Sequence, residues 1–94
     1  MKAILITLNE QNIIEIENKL EALQGAVDGY IETVSLIPEK VDMIVNEEGL
    51  IKGMELNPIA SAIAGTYIVG NALIVGVDGE DFCDVPDEWI KCYR

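Results

Sequence analysis

Residues 41–57 (VDMIVNEEGLIKGMELN) constrain this fold most strongly, because two apolar runs flank a short polar turn there. Residues 41–45 and 50–54 predict the two arms of a β-hairpin, and residues 46–49 predict its turn. Asn57 directly precedes a proline, which is typical of a helix start, since an asparagine side chain caps the first turn and proline is tolerated at the first helical position. The hairpin is therefore expected to lead directly into a helix.

Apolar and β-branched runs elsewhere in the chain predict the remaining strands. Residues 3–8 and 13–17 predict a second hairpin, whose first strand is the more buried of the two. Residues 30–36, 67–69 and 72–77 predict three further strands. The last of them is so uniformly apolar that we expect both of its faces to be covered.

Three short helices are predicted from their end signals. Asn18, followed three residues later by a glutamate, predicts the start of the first helix, and one of two later glycines its end. Residues 58–64 predict the second helix. Pro86 opens the third, which carries acidic residues in its first turn and basic residues toward Arg94, the charge order that suits a helix dipole.

The predicted order of elements is ββαβββαββα, with an acidic loop at residues 78–84 (DGEDFCD) before the last helix. This order predicts one α+β domain that spans residues 1–94. We expect a curved, mostly antiparallel sheet built of hairpins, with two or three short helices packed on one side.

Charge limits the possible partners. Seventeen acidic residues, six basic residues and no histidine give the 94-residue chain a formal net charge of −11. Binding to nucleic acid through its phosphates needs a cationic surface, so we predict no direct contact with DNA or RNA. The same charge favours basic protein surfaces, although acidity also serves solubility alone.

The residues needed for common catalytic mechanisms are missing. Serine and cysteine nucleophiles need a general base beside them, and the chain has no histidine. Cys83 stands among acids, which raise the pKa of a thiol and make it a poor nucleophile. The carboxylates of residues 78–84 could hold a hard cation, but a solvated acidic loop is the preferred interpretation. We therefore predict no enzyme, no metal and no cofactor.

Candidate binding residues cluster in and after the predicted hairpin turn: Asn46, Glu47, Glu48, Lys52 and Asn57. Lys52 is the one base within residues 41–57, and the asparagine amides suit a base edge or a ribose. For Asn57, helix capping is a sufficient explanation without any ligand. Trp89 is a further candidate for an interface, because tryptophan is favoured in binding hot spots, but packing in the core explains it equally well.

Two observations bear on location and assembly. The chain has no apolar run long enough for a membrane span and no signal-peptide pattern, and its two cysteines make no disulfide framework, so we expect a cytoplasmic protein with no membrane contact. A domain of this size buries a modest share of its surface, which makes a homo-oligomer an expectation.

Four segments carry a resemblance to a known family: MKAILI, IEIENKLEALQGAVDGYIE, VDMIVNEEGLIKGMELN and IVGNALIVGVDGEDF. Through them the chain resembles a family of short domains of unknown function that are found in bacteriophages and conjugative elements. The resemblance implies an accessory module that serves conflict with the host without catalysis. Residues 89–94 (WIKCYR) lie outside the resemblance, so we expect the last helix to be specific to this protein.

Two functions follow as predictions. The first is a counter-defence protein of a phage or mobile element that binds and blocks a host protein through an acidic surface. The second is a homo-oligomeric sponge that sequesters a nucleotide immune signal, such as a cyclic dinucleotide or an ADP-ribose derivative, through Asn46, Lys52 and Asn57.

Overall fold

A computed structural model describes residues 1–92 and contains six strands and three short helices over that range. In chain order they are β1 (Lys2–Ile6), β2 (Gln11–Glu15), α1 (Leu20–Val27), β3 (Ile31–Ile37), β4 (Val41–Asn46), α2 (Pro58–Ala64), β5 (Ala72–Asp78), β6 (Asp81–Cys83) and α3 (Asp87–Lys91). The predicted α+β class, a curved antiparallel sheet with short helices packed on it, is confirmed.

The sheet is organised around β5. Its strand order is β2-β1-β5-β4-β3, every pairing is antiparallel, and β6 pairs with the far end of β5. Five consecutive residues of β5, from Ala72 to Gly76, are buried. The expectation that this strand is covered on both faces is confirmed, because its side chains alternate between two separate apolar cores.

The helices cover both faces of the sheet, and the expectation of one covered side was wrong. α1 closes one core, made of Ala3, Leu23, Val27, Ile44, Leu73 and Val75. α2 and α3 contribute Ala60 and Ile90 to the other, larger core, which also holds Ile74 and Met43. The reason lies in β4 and β5: consecutive apolar residues point to opposite faces of a strand, so each face needs its own cover.

Local signals located several elements correctly. The hairpin of β1 and β2 is present, and β1 is the more buried strand, as predicted. α2 spans the predicted residues 58–64, with Asn57 as its N-cap and Gly65 in the left-handed conformation at its end. The strand predicted at 30–36 is β3. The predicted end of the third helix, at Arg94, lies outside the described residues.

The hairpin predicted at residues 41–57 does not form. β4 is its first arm, but β4 already has β3 on one side and β5 on the other, so the sheet leaves no position for a second arm. Residues 47–53 instead form consecutive turns, in which the Lys52 N–H donates to the Glu48 carbonyl at 2.9 Å and the Met54 N–H to the Gly49 carbonyl at 3.0 Å. We call this segment the 47–53 coil.

Three other predictions were also wrong. Residues 67–69 form a single bridge, Leu56 to Val69, rather than a strand. The acidic loop is a hairpin, in which β6 pairs back onto β5 with Asp78 opposite Asp81. Asn18 does not cap α1, because its side chain donates to the Phe82 carbonyl at 2.9 Å and the N-cap position belongs to Lys19.

Gly76 of β5 pairs with Cys83 of β6 on one side and with Val41 of β4 on the other. A Cβ atom added there would overlap the carbonyl oxygen of Asp84 and approach the Cys83 sulfur at 2.9 Å. We predict that Gly76→Ala lowers the free energy of unfolding by about 2–3 kcal/mol, measured by urea unfolding, because the displaced atoms belong to the backbone.

Gly25→Ala is the matched control for this substitution. Gly25 lies in α1, and a Cβ atom there meets nothing within 4 Å. The control is expected to stabilise the protein by about 0.5–1 kcal/mol, the usual gain from replacing a helical glycine. A Gly76→Ala variant as stable as the parent would contradict the packing of β6 described here.

Candidate functional site

A cleft of about 400 Å³ lies between β3, the 47–53 coil and the segment after α2. We call it the acidic cleft. Its lining consists of Glu32, Val34, Val45, Asn46, Glu47, Gly49, Leu50, Ile51, Thr66, Tyr67, Ile68 and Val69. The cleft is open to solvent and has room for a few side chains of a partner.

Large apolar side chains stand exposed at the rim of the acidic cleft. Leu50 is 69% exposed, Ile51 is 87% exposed, and Tyr67 on the opposite wall is 64% exposed. Leu50 and Ile51 lie on turns of the 47–53 coil, directly after the buried Gly49. Grouped exposed apolar side chains with a polar rim mark interaction surfaces in soluble proteins.

The opposite wall is fixed by Ser61 of α2. Its hydroxyl accepts the Ile68 N–H at 2.9 Å and donates to the Ile68 carbonyl at 3.1 Å. Ile68 is thereby held in the larger core, and Val69 lies beside Gly49 of the coil. Tyr67 is exposed. Ser61 therefore has a structural role in this wall.

The charge of the cleft is negative. Glu32 and Glu47 contribute carboxylates to its lining, and no lysine or arginine of residues 1–92 lines it. Lys52 lies outside this lining: its Nζ is 4.0 Å from Glu48 Oε1 and would stand 3.0 Å from a Cβ atom on Gly29. The acidic cleft is thus suited to cations and apolar groups rather than to phosphates.

Asn46 borders the cleft, but its side-chain amide makes hydrogen bonds within the fold. Its Nδ2 donates to the carbonyl of Val27 at 2.9 Å, and its Oδ1 accepts the Glu48 N–H at 2.7 Å. Gly29 makes room for this arrangement, because a Cβ atom there would lie 2.7 Å from the same Nδ2. Asn46 therefore ties the end of β4 to the end of α1 and starts the 47–53 coil.

Asn57 has no exposed surface and makes three side-chain hydrogen bonds. Its Oδ1 accepts the Ala60 N–H at 3.0 Å, and its Nδ2 donates to the carbonyls of Ile6 at 3.1 Å and Gly70 at 2.9 Å. An asparagine that is enclosed in this way cannot reach a ligand. We assign Asn57 to the fold, which corrects the prediction of a binding role.

The other predicted residues divide between the cleft and its surroundings. Glu47 lies in the lining of the acidic cleft, whereas Glu48 and Lys52 pair beside it. Trp89 is half-buried and packs against the larger core next to Ile90, so its use in an interface stays a prediction. Binding of any partner by Glu47, Glu48 and Lys52 also stays a prediction.

Sequence reasoning missed the residues that shape the cleft, above all Glu32, Leu50, Ile51 and Tyr67. The sequence pattern predicts Leu50 and Ile51 to be part of a strand, where their apolar side chains would face the core. Their position directly after a turn of three polar residues and a glycine is the only local signal of exposure. The wall that carries Tyr67 depends on the hydrogen bonds between Ser61 and Ile68, which the sequence pattern does not reveal.

The remaining reactive groups are spread through the domain. Burial raises the pKa of the Cys83 thiol, and the carboxylates of Asp78 and Asp84 raise it further, in the direction predicted. Among residues 1–92, no three carboxylate, thiol or imidazole side chains are grouped as metal ligands. Over the same range, no helix has both the length and the apolar character needed to cross a membrane.

The fold and the cleft define a small α+β domain with a single antiparallel sheet, helices on both faces and an acidic, partly apolar surface cleft. A family model described as "Domain of unknown function (DUF3846)" matches residues 1–94. The chain belongs to this family. The match includes residues 89–94, so the expectation that the last helix is specific to this protein was wrong. Searches of curated proteins and of solved structures found no match.

Substitutions of Asn57 test its structural role. Asn57→Ala should lower the free energy of unfolding by about 2–4 kcal/mol, because it leaves the buried Ala60 N–H and Ile6 carbonyl and the part-buried Gly70 carbonyl unpaired. Asn57→Asp should be about equally costly, since a carboxylate caps the helix but cannot donate to two carbonyls. Chemical unfolding followed by circular dichroism measures both.

Asn12→Ala is the control for Asn57, because Asn12 is exposed and its amide donates only to the exposed Glu10 carboxylate. This variant should change stability by less than about 0.5 kcal/mol. Full tolerance of Asn57→Asp would mean that capping alone explains Asn57.

Alkylation tests the environment of Cys83. In a Cys92→Ser background, the rate of reaction with iodoacetamide should rise with pH around a midpoint above the ordinary thiol pKa of about 8.5, since only the thiolate reacts. Asp78→Asn removes one of the carboxylates that raise this pKa and should shift the midpoint to lower pH. A midpoint at or below the ordinary value in the parent would be inconsistent with the structure.

Proposed function

We propose that this domain is a non-enzymatic binding protein that blocks a host protein by seating a basic, partly apolar segment of it in the acidic cleft. The observation that carries the proposal is the composition of the cleft, which joins exposed apolar side chains to two carboxylates and includes no base among the described residues. The partner is expected to present lysine or arginine beside a large apolar side chain.

The apolar rim would supply affinity. Burying a leucine or isoleucine side chain contributes about 1.5–3 kcal/mol, and Leu50, Ile51 and Tyr67 are available for this from two sides of one cleft. The side chains stand on a coil held by backbone hydrogen bonds and on a wall held by Ser61. A surface that is already ordered loses little entropy on binding.

The charge would supply steering and choice of partner. A net charge of −11 accelerates the encounter with a basic protein and repels acidic ones, and this effect weakens as salt rises. A basic surface on the partner is commonly one that holds nucleic acid. Occupying it would block the partner without any chemical reaction.

The setting of this function is part of the proposal. The resemblance to domains of phages and conjugative elements supports a role in counter-defence within the cytoplasm of a bacterial host. A nucleotide sponge fits the cleft less well, because phosphates need basic groups and the lining offers Glu32 and Glu47. Such a sponge would need cations from further copies of the chain.

Charge reversal in the cleft tests the proposal. The tagged Glu32→Lys/Glu47→Lys variant should capture at least about tenfold less of its partner from bacterial lysate than the parent, because like charges would face each other. Capture by the parent should also fall as salt is raised. Quantitative mass spectrometry of the eluates measures both effects.

Glu10→Lys/Glu80→Lys is the matched control, since it changes the net charge by the same amount at two exposed positions outside the cleft. The control should retain capture. Equal loss of capture in both variants would indicate unspecific attraction to an acidic protein. Equal retention of capture would show that the cleft does not bind the partner.

A further inference from the structure

Within residues 1–92, β3 is an edge strand whose outward backbone groups make no hydrogen bond. It pairs with β4 alone, and the Glu47 N–H donates to the Tyr30 carbonyl at 2.8 Å just before the strand begins. Backbone groups alternate in direction along an antiparallel strand. The N–H and C=O groups of Ile31, Thr33 and Ser35 therefore point away from β4, toward the free edge.

This edge lacks the features that usually prevent strand addition. Proline, lysine and early bulges commonly protect exposed edges. β3 (IETVSLI) contains neither proline nor lysine, and its irregularity comes only at its end, between Ser35 and Ile37. Residues 31–35 thus present a regular edge.

The free edge and the acidic cleft are continuous. Glu32 and Val34 belong to β3, and both also line the cleft. Side chains of an added strand would stand about 4.5–5.5 Å from those of β3 on the same face. Every second side chain of such a strand would therefore reach over the cleft, beside a carboxylate at Glu32 and an apolar group at Val34.

We propose that the partner segment binds as an additional β-strand along residues 31–35, with the basic side chains of one of its faces directed into the acidic cleft. This inference rests on the proposed function and specifies its mode of binding. Backbone hydrogen bonds to Ile31, Thr33 and Ser35 give affinity, and the cleft gives the preference for sequence.

Charge selects the occupant of the edge. A second copy of this chain could pair with the same edge about Thr33, but that would join two bodies of net charge −11 and place both Glu32 side chains on one face. A basic segment meets the same carboxylates with opposite charge. We therefore assign the edge to a basic segment of another protein.

The test uses a defined probe, the acetylated and amidated peptide KVKVK, titrated into the full chain and followed by amide NMR. The peptide should slow hydrogen exchange at the amides of Ile31, Thr33 and Ser35, and the acidic peptide EVEVE should not. Thr33→Pro removes one outward N–H without touching the β3–β4 ladder and should weaken binding roughly tenfold, whereas Thr33→Val should bind like the parent.

A KVKVK peptide methylated on its backbone nitrogens gives the same test without altering the protein, in case Thr33→Pro fails to fold. Equal binding by the methylated peptide, or no binding of KVKVK at millimolar concentration, overturns strand addition. The capture experiment with the Glu32→Lys/Glu47→Lys variant would still decide the proposed function separately. Protection of the three amides that depends on protein concentration without peptide would assign the edge to a second copy and overturn the inference.

Discussion

The buried side chain of Asn57 is the interaction on which the arrangement of this domain depends most. One amide joins the end of β1, the turn before β5 and the first turn of α2, through Ile6, Gly70 and Ala60. A buried amide with every bond satisfied fixes a single geometry, because any shift leaves a polar group unpaired. The position of α2, and with it the Ser61 wall of the cleft, follows from this contact.

The acidic cleft forms because β4 has no free edge in the sheet. β4 is paired on both sides, so the residues that follow it must leave the sheet, and they do so as the 47–53 coil. Asn46 starts the coil by holding the Glu48 N–H and the end of α1. Leu50 and Ile51 are consequently exposed despite their apolar character, and β3 becomes the edge beside them.

The sequence predicted those features that short-range chemistry decides. Asn57 before a proline marked the start of α2, and residues 3–8 and 13–17 indicated the first hairpin and its more buried first strand. Features set by distant partners were not predictable in this way. The local pattern at residues 50–54 favours a strand, but only the pairing of β4 with β5, some thirty residues later, excludes it. The cleft depends on that pairing, and Glu47 alone of the predicted acidic pair lines it.

The central claim is that the acidic cleft, rather than acidity in general, binds a partner. Hydrogen–deuterium exchange on the purified complex with a captured partner protein tests it most directly, because the hairpin of β5 and β6 offers a second acidic surface within the same molecule. The account predicts slower exchange in residues 31–35, 47–51 and 66–69, with residues 78–84 unchanged. Protection confined to residues 78–84, or spread evenly over the acidic surface, would contradict it.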